Sequence, residues 1–135
     1  MGKYMNPPAV ITSFIGGITS YILGGWDSLA KALVFLMVLD YLTGILKAVY
    51  TKTLSSRIGL KGIITKVLYL AIISVVVVAG NILGITVTRE MIFWFFIANE
   101  CISIVENTVE VGVPVPKKLK EVLLQLRDQN ESKGG

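Results

Sequence analysis

The chain has 135 residues, of which 53% are hydrophobic and 16% are charged, and its formal net charge is +4. A soluble domain usually carries about 25% charged residues, so this composition favours a protein that uses a lipid bilayer as its solvent. There is no histidine and a single cysteine, Cys101. The commonest general base and metal ligand is therefore absent, and no intrachain disulfide can form. We predict no enzyme activity, no cofactor and no metal, and the N-terminus lacks the pattern of a secretory signal.

The first apolar stretch covers about residues 9–25 and is diluted by small and polar residues. Gly16, Ser20 and Gly24 recur every four residues and form one stripe on a helix. Small residues at this spacing let helix backbones approach closely in membranes, so we predict a packing face. The stretch either crosses the membrane or lies in its interface, and its shortness and glycine content favour the interface.

Two longer stretches follow, at about residues 28–51 and 62–87. In the second of them, the run between Lys66 and Arg89 carries no charge. This run is as long as a spanning helix needs to be. Gly80 and Gly84 form a GxxxG pair, and Gly44 lies in the preceding stretch, so all three are predicted packing positions. Asp40 lies deep in the 28–51 stretch. A charge there is expensive, and we predict that Asp40 has a partner on another helix or another subunit.

The fourth stretch, at about residues 90–111, carries a polar stripe along one helical face. Its carboxylates could line water when subunits assemble, or they could pair across helices with Lys47 and Lys66 in a packing network. We favour water-facing assembly for the stripe, and packing for Asp40. The members of the polar stripe are Asn99, Glu100, Ser103, Glu106, Asn107 and Glu110.

Residues 1–112 thus form a predicted membrane domain, and residues 113–135 a cytoplasmic amphipathic helix with a disordered tail from Gln129. The link between the second and third stretches and the segment after the fourth are both rich in lysine and arginine. Short basic loops stay in the cytoplasm. This predicts an all-α, multi-pass membrane protein with three or four hydrophobic helices and a cytoplasmic C-terminus.

Several short motifs in this chain resemble the toxin-secretion and phage-lysis holins, typified in clostridia. The resemblance depends on the order of the motifs along the chain and on the apolar stretches between them. The likeness covers about residues 26–126. Its parts are Asp40-Tyr41-Leu42-Thr43-Gly44, then Ser55-Ser56 with Gly59, Gly62 and Lys66, then Asn99-Glu100 with Ser103-Ile104 and Glu106-Asn107, and finally Gly112 with Pro114 and Pro116.

The resemblance implies a homo-oligomer that clusters in the bacterial cytoplasmic membrane and opens large, timed lesions. An endolysin or a toxin then escapes without necessarily binding the holin. An antiholin is a further partner that the resemblance allows. If Met5 is used as a second start, the longer product from Met1, which keeps Lys3, would restrain the shorter one. We favour the alternative that Met5 is an internal methionine. Membrane lipid is an expected partner, whereas nucleic acid and a small-molecule substrate are not. The alternatives are a small transporter or ion channel that uses the buried carboxylates, and a membrane scaffold subunit.

Overall fold

In the part of the chain that the structure describes, five helices follow one another: α1 (Pro7–Leu23), α2 (Ser28–Tyr50), α3 (Ser56–Leu83), α4 (Val87–Val111) and α5 (Lys117–Gly134). The computed structural model describes residue 4 and residues 6–134, and no strand occurs among them. The predicted all-α fold class is therefore confirmed. Met1 and Met5, on which the dual-start hypothesis depends, lie outside the described residues.

Side-chain caps fix where the second and third helices begin. The Asp27 carboxylate accepts the Ala30 N–H at 3.0 Å, and the Ser55 hydroxyl accepts the Ile58 N–H at 3.2 Å. Such caps satisfy backbone donors that have no partner inside the helix. Because of the Ser55 cap, α3 begins at residue 56 and not at residue 62, where the start of the apolar run had placed it.

Glycines end three of the helices. Gly24, Gly84 and Gly112 follow α1, α3 and α4 with φ of 72°, 69° and 101°. This left-handed conformation is the usual helix terminus, and glycine adopts it without a steric penalty. Gly24 and Gly84, which the sequence placed on helix packing faces, thus lie at helix ends.

Three helices, α2, α3 and α4, are long and apolar enough to cross a membrane, whereas α1 is a shorter apolar helix of 17 residues. Their outer faces carry large apolar side chains that the protein leaves uncovered, such as Val75 at 68% and Ile82 at 78% exposure. Apolar surface on this scale is unfavourable in water and suits contact with lipid. The chain is accordingly a membrane protein.

The hydrophobic core lies among α2, α3 and α4, with a contribution from the end of α1. α4 packs most extensively on α2 and also contacts α3 and α5, while α1 packs on α3. The core residues are Leu23, Ala30, Leu33, Met37, Ile73, Val77, Phe93, Phe96 and Ile97.

The aromatic run at the start of α4 contributes to this core on one side only. Phe93 and Phe96 are buried, and the Phe96 ring lies 4.3 Å from that of Tyr69, whereas Trp94 is 53% exposed. One face of the run is thus a packing surface, and the other is free to meet the membrane interface.

The C-terminal segment is helical through Gly134, which includes the residues for which we expected a disordered tail. No glycine or proline interrupts residues 117–133, and Gln, Glu and Lys are all favourable helix formers. Composition alone suggested disorder, whereas the local propensity supports continued helix.

Candidate functional site

A buried charged triad joins the three long apolar helices. The Lys66 ammonium on α3 lies 2.7 Å from Asp40 Oδ2 on α2 and 2.7 Å from Glu100 Oε2 on α4. Each of the three helices therefore supplies one member. Asp40 has its partner on another helix of the same chain.

The triad is well shielded from its surroundings. Glu100 is 2% exposed, and the side chains of Lys66 and Asp40 are 16% and 15% exposed. Taken as fully ionised, the triad carries one positive and two negative charges. Charges in such a position are tolerated only when they are paired and hydrogen-bonded.

An amide and a hydroxyl complete the hydrogen bonding around Asp40. Asn107 Nδ2 donates to Asp40 Oδ1 at 3.1 Å, and it lies 3.1 Å from Thr43 Oγ1. The Thr43 hydroxyl donates to the Asp40 carbonyl oxygen at 3.0 Å. In the described part of the chain, every buried side-chain nitrogen and oxygen atom has a partner. The polar groups on this side of α4 are thus satisfied within one protomer.

The polar stripe of α4 is divided between the interior and the surface. Glu100 and Asn107 are buried, while Glu106 and Glu110 are exposed. The Glu110 carboxylate lies 3.5 Å from the Lys47 ammonium, but its side chain remains 57% exposed. The two lysines for which we expected acidic partners thus differ: Lys66 is held by two carboxylates, and Lys47 makes one long, solvent-accessible pair.

An open cleft of about 570 Å³ lies between α2, α3 and α4, beside this triad. We call it the interhelical cleft. Asn99 and Ser103 of the polar stripe lie on its wall together with Glu106, and Arg127 of α5 reaches it from the C-terminal helix. Its wall contains both charged and apolar side chains, so it can admit water or a polar group between the helices.

The predicted packing glycines have different surroundings. A Cβ added to Gly80 would lie 2.5 Å from Thr88 Oγ1 and 3.0 Å from the Ile85 carbonyl oxygen, so α3 and α4 approach closely there. A Cβ on Gly44 would meet Asn107 Nδ2 at 3.6 Å, an ordinary contact. A Cβ added to Gly16, by contrast, would have no atom within 4 Å outside the backbone of its own helix. Gly16 and the half-buried Ser20 therefore leave most of their predicted stripe uncovered in the protomer.

A second polar cluster lies where α2 and α4 begin, and it was not predicted from the sequence. The Arg89 guanidinium donates to both carboxylate oxygens of Asp27, at 2.8 and 3.0 Å, and to the Leu23 carbonyl at 2.7 Å. It also donates to the Gly25 carbonyl at 3.3 Å and lies 4.5 Å from the centre of the Phe93 ring. This Arg89 clamp ties the end of α1 to the start of α4.

The hydrogen bonds from Arg89, together with that from the Ala30 N–H, lower the pKa of Asp27 from 3.8 to about 2. The bidentate geometry is the strong form of an arginine–carboxylate interaction. The sequence held one signal for this pair: Arg89 and Asp27 are each a charged residue at the edge of an apolar run. Charge alone, however, does not identify a partner that is 62 residues away.

The chemistry of these groups is that of ion pairing and hydrogen bonding. Within the described part of the chain, no group of three or more Cys, Asp or Glu side chains could hold a metal ion. Cys101 is a half-buried free thiol within α4. The arrangement can hold helices together through charge, and it can expose carboxylates to water if the helices separate.

Comparisons with known proteins agree with one another. The model of the bacteriophage holin family matches residues 17–128. An uncharacterized Clostridium perfringens protein is 41% identical over 122 residues, which cover 89% of this chain and 90% of that protein. A second protein of the same species, described as an uncharacterized 14.9 kDa protein in the nagH 3′ region, is 42% identical, and the match covers 85% of this chain and 89% of that protein. A probable holin of Bacillus phage phi105 is 31% identical, with 84% of each chain covered. No solved structure matches the chain.

Proposed function

This chain belongs to the bacteriophage holin family, and on that premise we propose that it assembles into homo-oligomers in the bacterial cytoplasmic membrane and opens timed lesions there. An endolysin or a toxin leaves the cell through these lesions and need not bind the holin. The protein acts without catalysis, and an antiholin would act by delaying the assembly.

The observation that carries the proposal is the division of the polar stripe of α4. Glu100 and Asn107 are satisfied inside the protomer, whereas Glu106 and Glu110 are exposed on the same helix. An ionised side chain costs about 2.5–3.5 kcal/mol on insertion scales at the centre of a membrane helix, and less near the end of the helix, where Glu106 and Glu110 lie. Exposed carboxylates on a membrane helix therefore favour an arrangement in which copies of the chain surround water.

The basic segments give the proposed orientation. Lys47, Lys52, Arg57 and Lys61 surround the α2–α3 link, and Lys117, Lys118 and Lys120 begin α5. Both groups belong in the cytoplasm if α3 and α4 each cross once. The Arg89 clamp then lies at the outer surface. In this arrangement α1 rests on α3 near the outer surface, and the C-terminus is cytoplasmic.

The test is to express the chain in bacteria while recording the membrane potential with a dye and the release of a cytoplasmic reporter protein. We expect a delay, then abrupt depolarisation together with escape of the reporter and cell death. The variant Glu106→Gln/Glu110→Gln should shift the onset at equal abundance in the membrane, because it removes two carboxylates from the exposed part of the polar stripe.

The matched control is Glu90→Gln, since Glu90 is an exposed carboxylate on the first turn of α4 and lies away from the polar stripe. Its onset should equal that of the parent chain. A membrane potential that stays intact at high expression would contradict the proposal and leave a scaffold role. Leakage of small ions alone from surviving cells would contradict it in favour of a channel or transporter.

A further inference from the structure

We propose that the mouth of the interhelical cleft binds the phosphate headgroup of an anionic phospholipid. The proposal requires only that the chain is embedded in a membrane, and it does not depend on lesion formation. Three cationic side chains from three helices line the cleft in addition to the triad lysine: Lys47 of α2, Lys61 of α3 and Arg127 of α5.

At the mouth of the cleft, cations outnumber carboxylates among the lining residues, whereas the triad beside it carries one excess negative charge. The triad uses Lys66 for its own two carboxylates. Of the remaining charged lining residues, three are positive and only Glu106 is negative. Among the side chains that the structure describes, Lys61 has no carboxylate within 4.0 Å, Arg127 lies 3.6 Å from its chain neighbour Asp128, and Lys47 makes its exposed pair with Glu110 at 3.5 Å. The cations at the mouth are thus weakly engaged by the protein itself.

The position of the cleft matches the level of lipid headgroups. Lys47 lies in the last turn of α2, Thr53 in the α2–α3 link and Lys61 near the start of α3. At this point the chain leaves the apolar spans, so the phosphates of a bilayer lie at the same depth. Basic pockets between membrane helices on this side are suited to anionic headgroups.

The wall of the cleft favours a lipid over a free phosphate ion. Ile45 and Ile58 line it beside the cations, and Ile58 is 43% exposed. The outer face of α3 continues with exposed apolar residues such as Leu60 and Ile64. A lipid could place its phosphate among the cations and its acyl chains along this face. Inorganic phosphate would use only the cations.

The experiment measures the retention of phosphatidylglycerol and of zwitterionic phosphatidylcholine on the detergent-solubilised full chain by native mass spectrometry. The test variant is Lys61→Gln/Arg127→Gln. The matched control is Arg57→Gln/Lys118→Gln, which removes two cations of the same kinds that do not line the cleft. Circular dichroism in the same detergent establishes that each variant keeps its helices.

We expect the parent and the control to retain phosphatidylglycerol in preference to phosphatidylcholine. Binding to the test variant should be about 25-fold weaker, since each of the two cations near an anionic surface contributes about fivefold. Equal losses in the test and control variants, or no loss in either, would overturn the proposal. Complete displacement of the lipid by millimolar glycerol 3-phosphate would also overturn it, because the acyl chains would then add nothing. Since no lesion is needed in this assay, its failure leaves the proposed function untouched.

Discussion

Replacing Lys66 by methionine should destabilise the helix bundle more than any other loss of a single charge. Methionine keeps most of the volume of the lysine stem but removes the only cation that lies within 4.0 Å of both Asp40 and Glu100 in the described structure. Two carboxylates would then remain in the interior of three membrane helices without a positive partner.

The expected cost follows from the geometry of the triad. Removing one partner of a buried ion pair typically costs about 3–5 kcal/mol, because the remaining charge is uncompensated. Lys66 serves two carboxylates, each at 2.7 Å, so the upper part of that range applies. We therefore expect Lys66→Met to lower the free energy of unfolding by about 4–5 kcal/mol.

A neutral replacement separates charge from packing. In Asp40→Asn/Lys66→Met/Glu100→Gln, no charge of the triad remains, and the carboxamide oxygen introduced at position 40 can still accept the hydrogen bond from Asn107. We expect this triple variant to recover at least half of the stability lost in Lys66→Met, since replacing a whole buried ion pair by neutral groups is far less costly than breaking it.

The assay is unfolding in mixed micelles with increasing dodecyl sulfate, followed by circular dichroism. Arg57→Met is the control, because Arg57 is an exposed cation in the first turn of the same helix. Its stability should stay within about 0.5 kcal/mol of the parent. The reasoning is refuted if Lys66→Met costs no more than the control, or if the triple variant is as unstable as Lys66→Met, since packing and not charge would then dominate.

Four further substitutions test other parts of the structure. Arg89→Lys should lose the bidentate contact with Asp27 and accelerate amide hydrogen exchange at residues 20–25, whereas Glu90→Gln should leave it unchanged. Because the pKa of Asp27 is lowered to about 2, the stabilisation from this carboxylate should persist above pH 4 and be lost as the pH falls toward 2. A protection factor at residues 20–25 that does not change across that range, after correction for the intrinsic pH dependence of exchange, would contradict the clamp. Gly80→Ala should cost about 1–3 kcal/mol by overpacking, as measured by the same unfolding assay. Gly16→Ala should leave the protomer unchanged, so an altered lysis time in that variant would locate Gly16 in a contact between copies. Lys47→Gln should cost less than about 1 kcal/mol, because its pair with Glu110 is exposed; a larger loss would refute that interpretation.

Much of the fold could be predicted from the sequence because membrane helices follow simple rules. Long uncharged runs gave the number and order of the helices and most of their ends to within several residues, whereas the glycines at two of these ends had been assigned to packing faces. The main difference was the start of α3, where the Ser55 cap adds a turn and a half of helix before the apolar run. The apolar run could not indicate this, since Ser56, Arg57 and Lys61 interrupt the added segment with polar side chains.

The candidate site could be predicted only in part. Charge in an apolar helix identified Asp40 as a residue that needs a partner, and spacing identified the polar stripe. Neither could select Lys66 over Lys47 as the shared cation, because that choice depends on how far α3 is rotated and shifted relative to α2. The Arg89 clamp was missed for a similar reason, since it joins two helix ends through a close approach at Gly24.

The triad gives the proposed lesion a physical reason to form cooperatively. In one protomer, α4 cannot move away from α2 and α3 without separating Glu100 from Lys66 and Asn107 from Asp40. A single chain in lipid has nothing to replace these contacts, so the closed arrangement is favoured. When several copies meet along the polar stripe, these contacts could be replaced by water enclosed between the copies or by polar groups of neighbouring copies. The cost of opening would then fall only after enough copies had assembled, which would produce a delay followed by an abrupt transition.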